Sequence, residues 1–221
     1  LSHTSVFLSD ILVGDPALLD WLIESGEIWT ETDSSGIAVE LRGIDKKFSS
    51  NDVFSRRCKS IKNREELRVG ARRISGLIDT RHAFAELTVI AGEMVNAATL
   101  RALSFDASKK ETGRSFAVVA AGRLGAETMD FGSDLDLIFV YRGDDNPETT
   151  AQAARIAQTV VSLLTGGGGA IKIYDIDARL RPEGGNSVLA VSFEEYERYL
   201  DTRAAGWERL AMIRARPIAG C

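Results

Sequence analysis

The stretch Gly122-Arg123-Leu124-Gly125-Ala126-Glu127-Thr128-Met129-Asp130-Phe131-Gly132-Ser133-Asp134-Leu135-Asp136-Leu137-Ile138-Phe139-Val140-Tyr141 constrains the fold of this chain more than any other. It joins one apolar run, 116–121, to a second, 135–141, through a glycine-bearing turn with a short helix. Runs of that length and composition are strand-forming. Side chains alternate along a strand, so Asp134 and Asp136 share one face while Leu137, Phe139 and Tyr141 take the other. Two carboxylates so close repel each other unless a cation lies between them. The economical occupant is a hard divalent ion, Mg²⁺ or Mn²⁺, bridging the acids to a phosphate.

A second acidic run, Ile171-Lys172-Ile173-Tyr174-Asp175-Ile176-Asp177-Ala178-Arg179-Leu180-Arg181-Pro182, also reads as a strand, over 171–180. Alternation puts Asp175, Asp177, Arg179 and Arg181 on one face, with Tyr174, Ile176, Ala178 and Leu180 opposite. If this strand neighbours the first, Asp177 completes a three-carboxylate cluster. Asp175 shares its face but is assigned no metal. Guanidinium forks suit phosphate oxygens, so Arg179 and Arg181 either bind phosphate or hold Asp177 and Glu183 in salt bridges; a mixed role is expected. Gly122 and Gly125 let the backbone approach a phosphate and aim N–H groups at it. Without the aspartates they would be no more than a tight turn. Ser133 either bonds phosphate or caps the turn, and Arg123 either touches phosphate or faces solvent.

Three blocks stand in order over roughly 116–219. They are the Gly122-x-Leu124-Gly125-x-Glu127 turn running into Ser133-Asp134-Leu135-Asp136, then Asp177-Ala178-Arg179-Leu180-Arg181-Pro182, then Trp207-Glu208-Arg209 through Met212-Ile213-Arg214-Ala215-Arg216. Together they resemble the glutamine synthetase adenylyltransferases (glutamate–ammonia-ligase adenylyltransferases), within the polymerase-β-like nucleotidyltransferase superfamily. The resemblance implies an α+β fold with a helical N-terminal region, 1–111, and a nucleotidyltransferase catalytic domain, 112–221, built on a mixed sheet with flanking helices. It implies a Mg²⁺-dependent enzyme with Asp134, Asp136 and Asp177 as catalytic and metal-binding residues and ATP, or ADP and phosphate, as substrate. Gly122, Arg123, Gly125, Ser133, Arg179 and Arg181 would bind nucleotide or phosphate. The partners implied are glutamine synthetase, whose tyrosine gains or loses AMP, and a PII signalling protein. Members carry two related catalytic domains, so this chain would supply one, as an excised fragment or a shortened homologue. Gly206-Trp207-Glu208-Arg209 looks more like the adenylyl-removing domain than the attaching one. Two other readings stay open: a catalytically silent module that binds nucleotide or glutamine synthetase, and a nucleotidyltransferase with another acceptor.

Composition narrows the field. The chain has 221 residues, 44% of them apolar, and a net charge of −5. That balance excludes a general nucleic-acid binder held by phosphate contacts. No apolar run approaches the roughly 20 residues that span a bilayer, and no leader pattern is visible, so a cytoplasmic protein without a membrane is expected. Cys58 and Cys221 provide neither a disulfide framework nor a metal site, and His3 and His82 are too isolated to bind a metal.

Helical spacing predicts helices over 16–23, around Leu67, Ala71, Ile74 and Ile78, and along the stripe Phe84, Leu87, Ala91, Met94, Val95 and Ala98, the last capped by Asp79 or Thr80. The cations Arg56, Arg57, Lys59, Lys62, Arg64, Arg68, Arg72 and Arg73 read as a solvated face, the alternative being a surface for an acidic partner or a phosphate. The polar stretch 105–114 is the expected domain boundary. A helix over 151–164, burying Ala154, Ala157, Val161 and Leu164, should break at the tetraglycine 166–169, a connection lacking the Lys-Ser/Thr ending of a P-loop. Ser192 with Glu195 forms a capping box for a helix using Phe193, Tyr196 and Leu200. A last helix holds Trp207, Leu210, Ala211 and Arg214, with Trp207 and Glu208 fixing it against the catalytic part.

Overall fold

A computed structural model describes residues 2–47, 50–105, 115–143 and 146–220. The expected boundary at 111–112 lies outside those residues, as do His3's side chain and Cys221. The first half is helical: α1 (Ser2–Gly14), α2 (Ala17–Glu24), α3 (Ser34–Lys47), α4 (Asn51–Ile74) and α5 (Thr80–Ser104). The second half alternates: β1 (Ser115–Ala120), α6 (Gly122–Gly125), β2 (Leu135–Arg142), α7 (Pro147–Thr165), β3 (Ile176–Asp177), β4 (Ala190–Ser192), α8 (Phe193–Thr202), α9 (Gly206–Ala211) and β5 (Arg216–Gly220). The architecture is α+β.

The sheet runs β3-β2-β1-β5, and β4 also pairs with β2. β1 is antiparallel to β2 and β5, whereas β3 and β4 run parallel to β2 and flank successive stretches of its other edge. Alternation sorts the two faces. Val118 and Ala120 of β1 join Leu135, Leu137, Phe139 and Tyr141 of β2 in the large core that also holds the stripes of α4, α5 and α7. Ile138 and Val140 face the other way, into a smaller cluster with Ala121, Val191 and Tyr196 of α8. Asp134 and Asp136 have the parity of this smaller face, where the sheet is less thickly covered. One buried apolar cluster thus includes Leu8 and Ile90 as well as Phe139 and Ala190.

α5 begins where the Asp79 carboxylate accepts the His82 N–H at 2.9 Å, covering a donor that the first turn would otherwise leave open. Its expected stripe is buried from Leu87 to Ala98. By length and apolarity alone this helix would cross a bilayer, with a mean hydropathy of 1.2, but half of that stretch is buried inside the protein. α7 starts earlier than apolar spacing indicated. Asn146 caps Thr149 N–H at 2.8 Å and Pro147 occupies the first turn, while Gly166 ends the helix in a left-handed conformation. Ala157 and Leu164 are buried as expected; Ala154 and Val161 are only half-buried, and the seam centres on Ala153, Ile156 and Val160. Ser192 caps α8 by accepting Glu195 N–H at 3.3 Å.

Three expectations are corrected. The basic stretch of α4 is only in part a solvated face: Arg56 and Arg57 are exposed, but Lys62, Arg68 and Arg72 are buried. Each is matched by an acid, Lys62 with Glu66 at 2.7 Å, Arg68 with Glu65 at 2.6 Å and Arg72 with Glu86 at 2.5 Å. Buried ions persist only when paired this way. The 171–180 strand shrinks to Ile176–Asp177. Asp175 is instead exposed and paired with Lys172 at 3.0 Å. Finally, the chain does not close on a helix: Arg216–Gly220 adds as β5 to the free edge of β1. That pairing is made with a segment about a hundred residues earlier, beyond the reach of local pattern.

Candidate active site

The site is assembled by register. Leu135 N–H donates to Asp175 C=O at 2.9 Å, which locks β3 onto β2 so that Asp136 lies directly opposite Asp177. Adjacent strands are about 4.8 Å apart, and directly paired residues project to one face. The two-residue β3 is therefore enough to deliver the third carboxylate.

The turn before β2 makes room for them. Gly122 has φ 51°, and a Cβ there would lie 1.9 Å from Asp136 Oδ2. Only glycine allows the backbone to pass so close to that carboxylate. Ala121 N–H donates to Asp136 C=O at 2.9 Å and ties the turn to the strand. Gly125 has a different job. Its Cβ would meet Arg214 C=O at 2.5 Å and Ala120 C=O at 2.7 Å, so it is a packing glycine between backbones. Its N–H is spent on Ala121 C=O at 2.7 Å.

A cleft of about 870 Å³ opens over the acids. Of the residues singled out from sequence, Gly122, Arg123, Asp134, Asp136, Asp177 and Arg179 line it; Gly125, Ser133 and Arg181 do not. Ser133 is buried, and its Oγ accepts Asp130 N–H at 3.1 Å and Arg123 Nη1 at 3.0 Å, so it braces the loop and aims Arg123. Arg181 donates to the carbonyls of Ala178 and Ser187, stapling the turn after β3. Glu183 pairs with Arg203 at 3.3 Å, not with Arg181. Arg179 does pair with Asp177: its Nε lies 2.9 and 3.0 Å from the two carboxylate oxygens, and its backbone N–H donates to Oδ1 at 2.9 Å.

The acids feel one another. Burial pushes the Asp136 carboxyl above its ordinary value, and the neighbouring Asp134 and Asp177 push it further, against a partial offset from Arg179 and Arg123. Asp177 moves down, chiefly because Arg179 hydrogen-bonds its charged form. Three carboxylates whose mutual repulsion the arginines only partly offset suit a hard divalent cation. Yet among the described residues no three acidic, imidazole or thiolate groups stand around a common point as a finished cage.

The opposite wall comes from α9 and the 3₁₀ turn Met212–Arg214. Glu208 anchors this segment, accepting Tyr199 O–H at 2.7 Å and Ala205 N–H at 2.8 Å. Trp207 does not: it is 63% exposed, with Leu210 67% and Ile213 74% exposed, and all three line the cleft. The helical spacing of Trp207, Leu210, Ala211 and Arg214 was legible, but it marks a cleft wall and not a core stripe. Thr128 and Ile213 are cleft residues that no local pattern singled out, and Leu180, which alternation put opposite Asp177 and Arg179, lines the cleft with them because the strand ends at Asp177.

An α+β sheet carrying an acid-lined cleft at the start of a central strand defines the class; relatedness narrows it. The family model for glutamate–ammonia ligase adenylyltransferase matches residues 1–221. The chain is 31% identical over 246 residues to a bifunctional glutamine synthetase adenylyltransferase/adenylyl-removing enzyme of Methylococcus capsulatus, covering 100% of this chain and 25% of that protein. It is 29% identical over 243 residues, with the same coverage, to a protein of that name from Thioalkalivibrio sulfidiphilus. Over a 120-residue part, 49% of this chain, it is 44% identical to another from Xanthomonas oryzae pv. oryzae. This chain belongs to the glutamate–ammonia ligase adenylyltransferase family. It spans about a quarter of the length of these relatives.

Proposed function

We propose that this chain is a metal-dependent nucleotidyl-transfer unit acting on glutamine synthetase, adding AMP to a tyrosine or removing it by phosphorolysis. The observation that carries this is the convergence of Asp134, Asp136 and Asp177 with Arg123 and Arg179 in one cleft of a chain from this family. In the adding direction the tyrosine oxygen attacks the α-phosphorus of ATP and pyrophosphate leaves. In the removing direction phosphate attacks the phosphorus of the tyrosine-bound AMP, the bond to the tyrosine oxygen breaks, and ADP and free tyrosine are the products. Both directions build charge on a phosphoryl group, and both need the same cleft. Mg²⁺ held by Asp134, Asp136 and Asp177 would supply charge neutralisation and alignment. Asp177 lies nearest the attacking oxygen in this reading and orients its proton. Arg123, aimed by Ser133, and Arg179 hold phosphate oxygens. The apolar strip of Trp207, Leu210 and Ile213 suits the flat face of adenine.

The Trp207-Glu208-Arg209 segment favours removal slightly over addition, by its likeness to that half of the family. The intact acid set favours an enzyme over a silent binding module. The test incubates the protein and Mg²⁺ with ATP and unmodified glutamine synthetase, or with phosphate and the adenylylated form, and follows the synthetase's mass. Gain of AMP identifies addition and loss identifies removal. No change in either arm, with nucleotide still bound, identifies the silent module or another acceptor.

A further inference from the structure

Two observations on the acid cluster pull against each other. Register brings Asp136 and Asp177 side by side, yet no ready-made cation cage exists among the described residues. Arg179 reconciles them. Asp177 is held on three sides by the residue two places ahead: by its backbone N–H at 2.9 Å and by the guanidinium at both carboxylate oxygens. The Arg179 side chain is 80% exposed, so little packing keeps the fork there and little resists its departure. The same guanidinium lines the cleft in which phosphates would lie.

We propose that Arg179 is a built-in counter-cation that pairs with Asp177 and must be exchanged when a divalent cation binds. The backbone N–H keeps one oxygen oriented throughout. The guanidinium is the exchangeable part: it leaves Asp177 for the phosphate oxygens that accompany the ion, and the carboxylate turns to complete the ligand set with Asp134 and Asp136. The exchange is one of hydrogen bonds alone. Arg179 is thus a positioning residue with two opposed effects. It competes with a bare divalent ion, and it favours an ion that comes with a nucleotide. This offsets part of the cluster's negative charge and makes cation occupancy depend on nucleotide.

The inference rests on the metal-dependent reading above, and titration with Mn²⁺ separates the two. Bound Mn²⁺ is counted by electron paramagnetic resonance, without and with ATP, for the unaltered chain, Arg179→Gln, Arg123→Gln and Asp136→Asn. Arg123→Gln removes an equal charge from the same cleft but leaves the Asp177 clamp intact. The expected result is Mn²⁺ binding about three- to fivefold tighter in Arg179→Gln at low ionic strength, the scale of an exposed ion pair, with little gain in Arg123→Gln. With ATP present the order reverses, and Arg179→Gln binds the Mn²⁺–ATP complex more weakly than the unaltered chain. An equal gain in both arginine variants overturns the clamp and leaves the metal site standing. Weaker bare-ion binding in Arg179→Gln, at an unchanged melting temperature, also overturns it. Mn²⁺ binding that is absent throughout, or unaffected by Asp136→Asn, removes the metal reading and the clamp with it.

Discussion

At Gly122 a single hydrogen in place of a methyl decides whether Asp136 fits. Gly122→Ala forces a carbon to within 1.9 Å of the carboxylate at a φ of 51°. The strained backbone alone costs about 1–3 kcal/mol. Chemical denaturation should show that loss, and Mn²⁺ binding should fall with it; an unperturbed variant would contradict the close approach. Asp136 carries the opposite kind of burden. Its carboxyl is shifted up by burial and by Asp134 and Asp177. A carboxyl whose folded value exceeds its unfolded one favours the fold while protonated, and that contribution is lost as pH rises through the folded value. At neutral pH the ionised group is therefore a liability that the fold tolerates. Asp136→Asn should abolish turnover yet melt higher than the unaltered chain at neutral pH, by on the order of 2 °C, and the gain should vanish in acid. A lower melting temperature at pH 7 would refute the repulsion.

α4 shows how an element can mislead when read alone. Its cations read as a solvated face, yet Lys62 and Arg68 are buried against Glu66 and Glu65 of the same helix, and Arg72 against Glu86 of α5. Lys62 also sits 4.4 Å from the centre of the Tyr174 ring, which couples α4 to the segment leading into Asp177. Lys62→Ala leaves Glu66 buried and unpaired and should cost about 3–5 kcal/mol. Lys62→Met with Glu66→Leu should recover most of it, because removing both charges removes the desolvation problem. Urea denaturation of the two variants decides the matter. α9 misleads in the other direction, since its apolar stripe faces open cleft. If that stripe receives adenine, Trp207→Ala should weaken ATP binding about tenfold, the scale of base–aromatic stacking, and leave inorganic tripolyphosphate unaffected. Equal losses for both ligands by calorimetry would count against stacking.

Across the whole molecule the buried cluster runs from Leu8 through α5 into β2 and β4 without a break. Far-ultraviolet and near-ultraviolet melting should therefore coincide in one transition; two separate transitions would show that the helical half is held independently. The sequence by itself determined the elements whose signals are local. Alternation marked β1, β2 and the shared face of Asp134 and Asp136, and cap residues marked the starts of α5 and α8. Those signals lie within a turn or two of chain, where sterics and hydrogen bonding act directly. Tertiary structure alone decided the rest. It cut the 171–180 strand to two residues, buried three of α4's cations, added β5 at the edge of β1, and separated Gly122, which clears space for a carboxylate, from Gly125, which packs two backbones. It also set the register that puts Asp177 beside Asp136. The pairings of β3 and β5 join segments far apart along the chain, and the energy of such a pairing is invisible until the chain has folded back on itself.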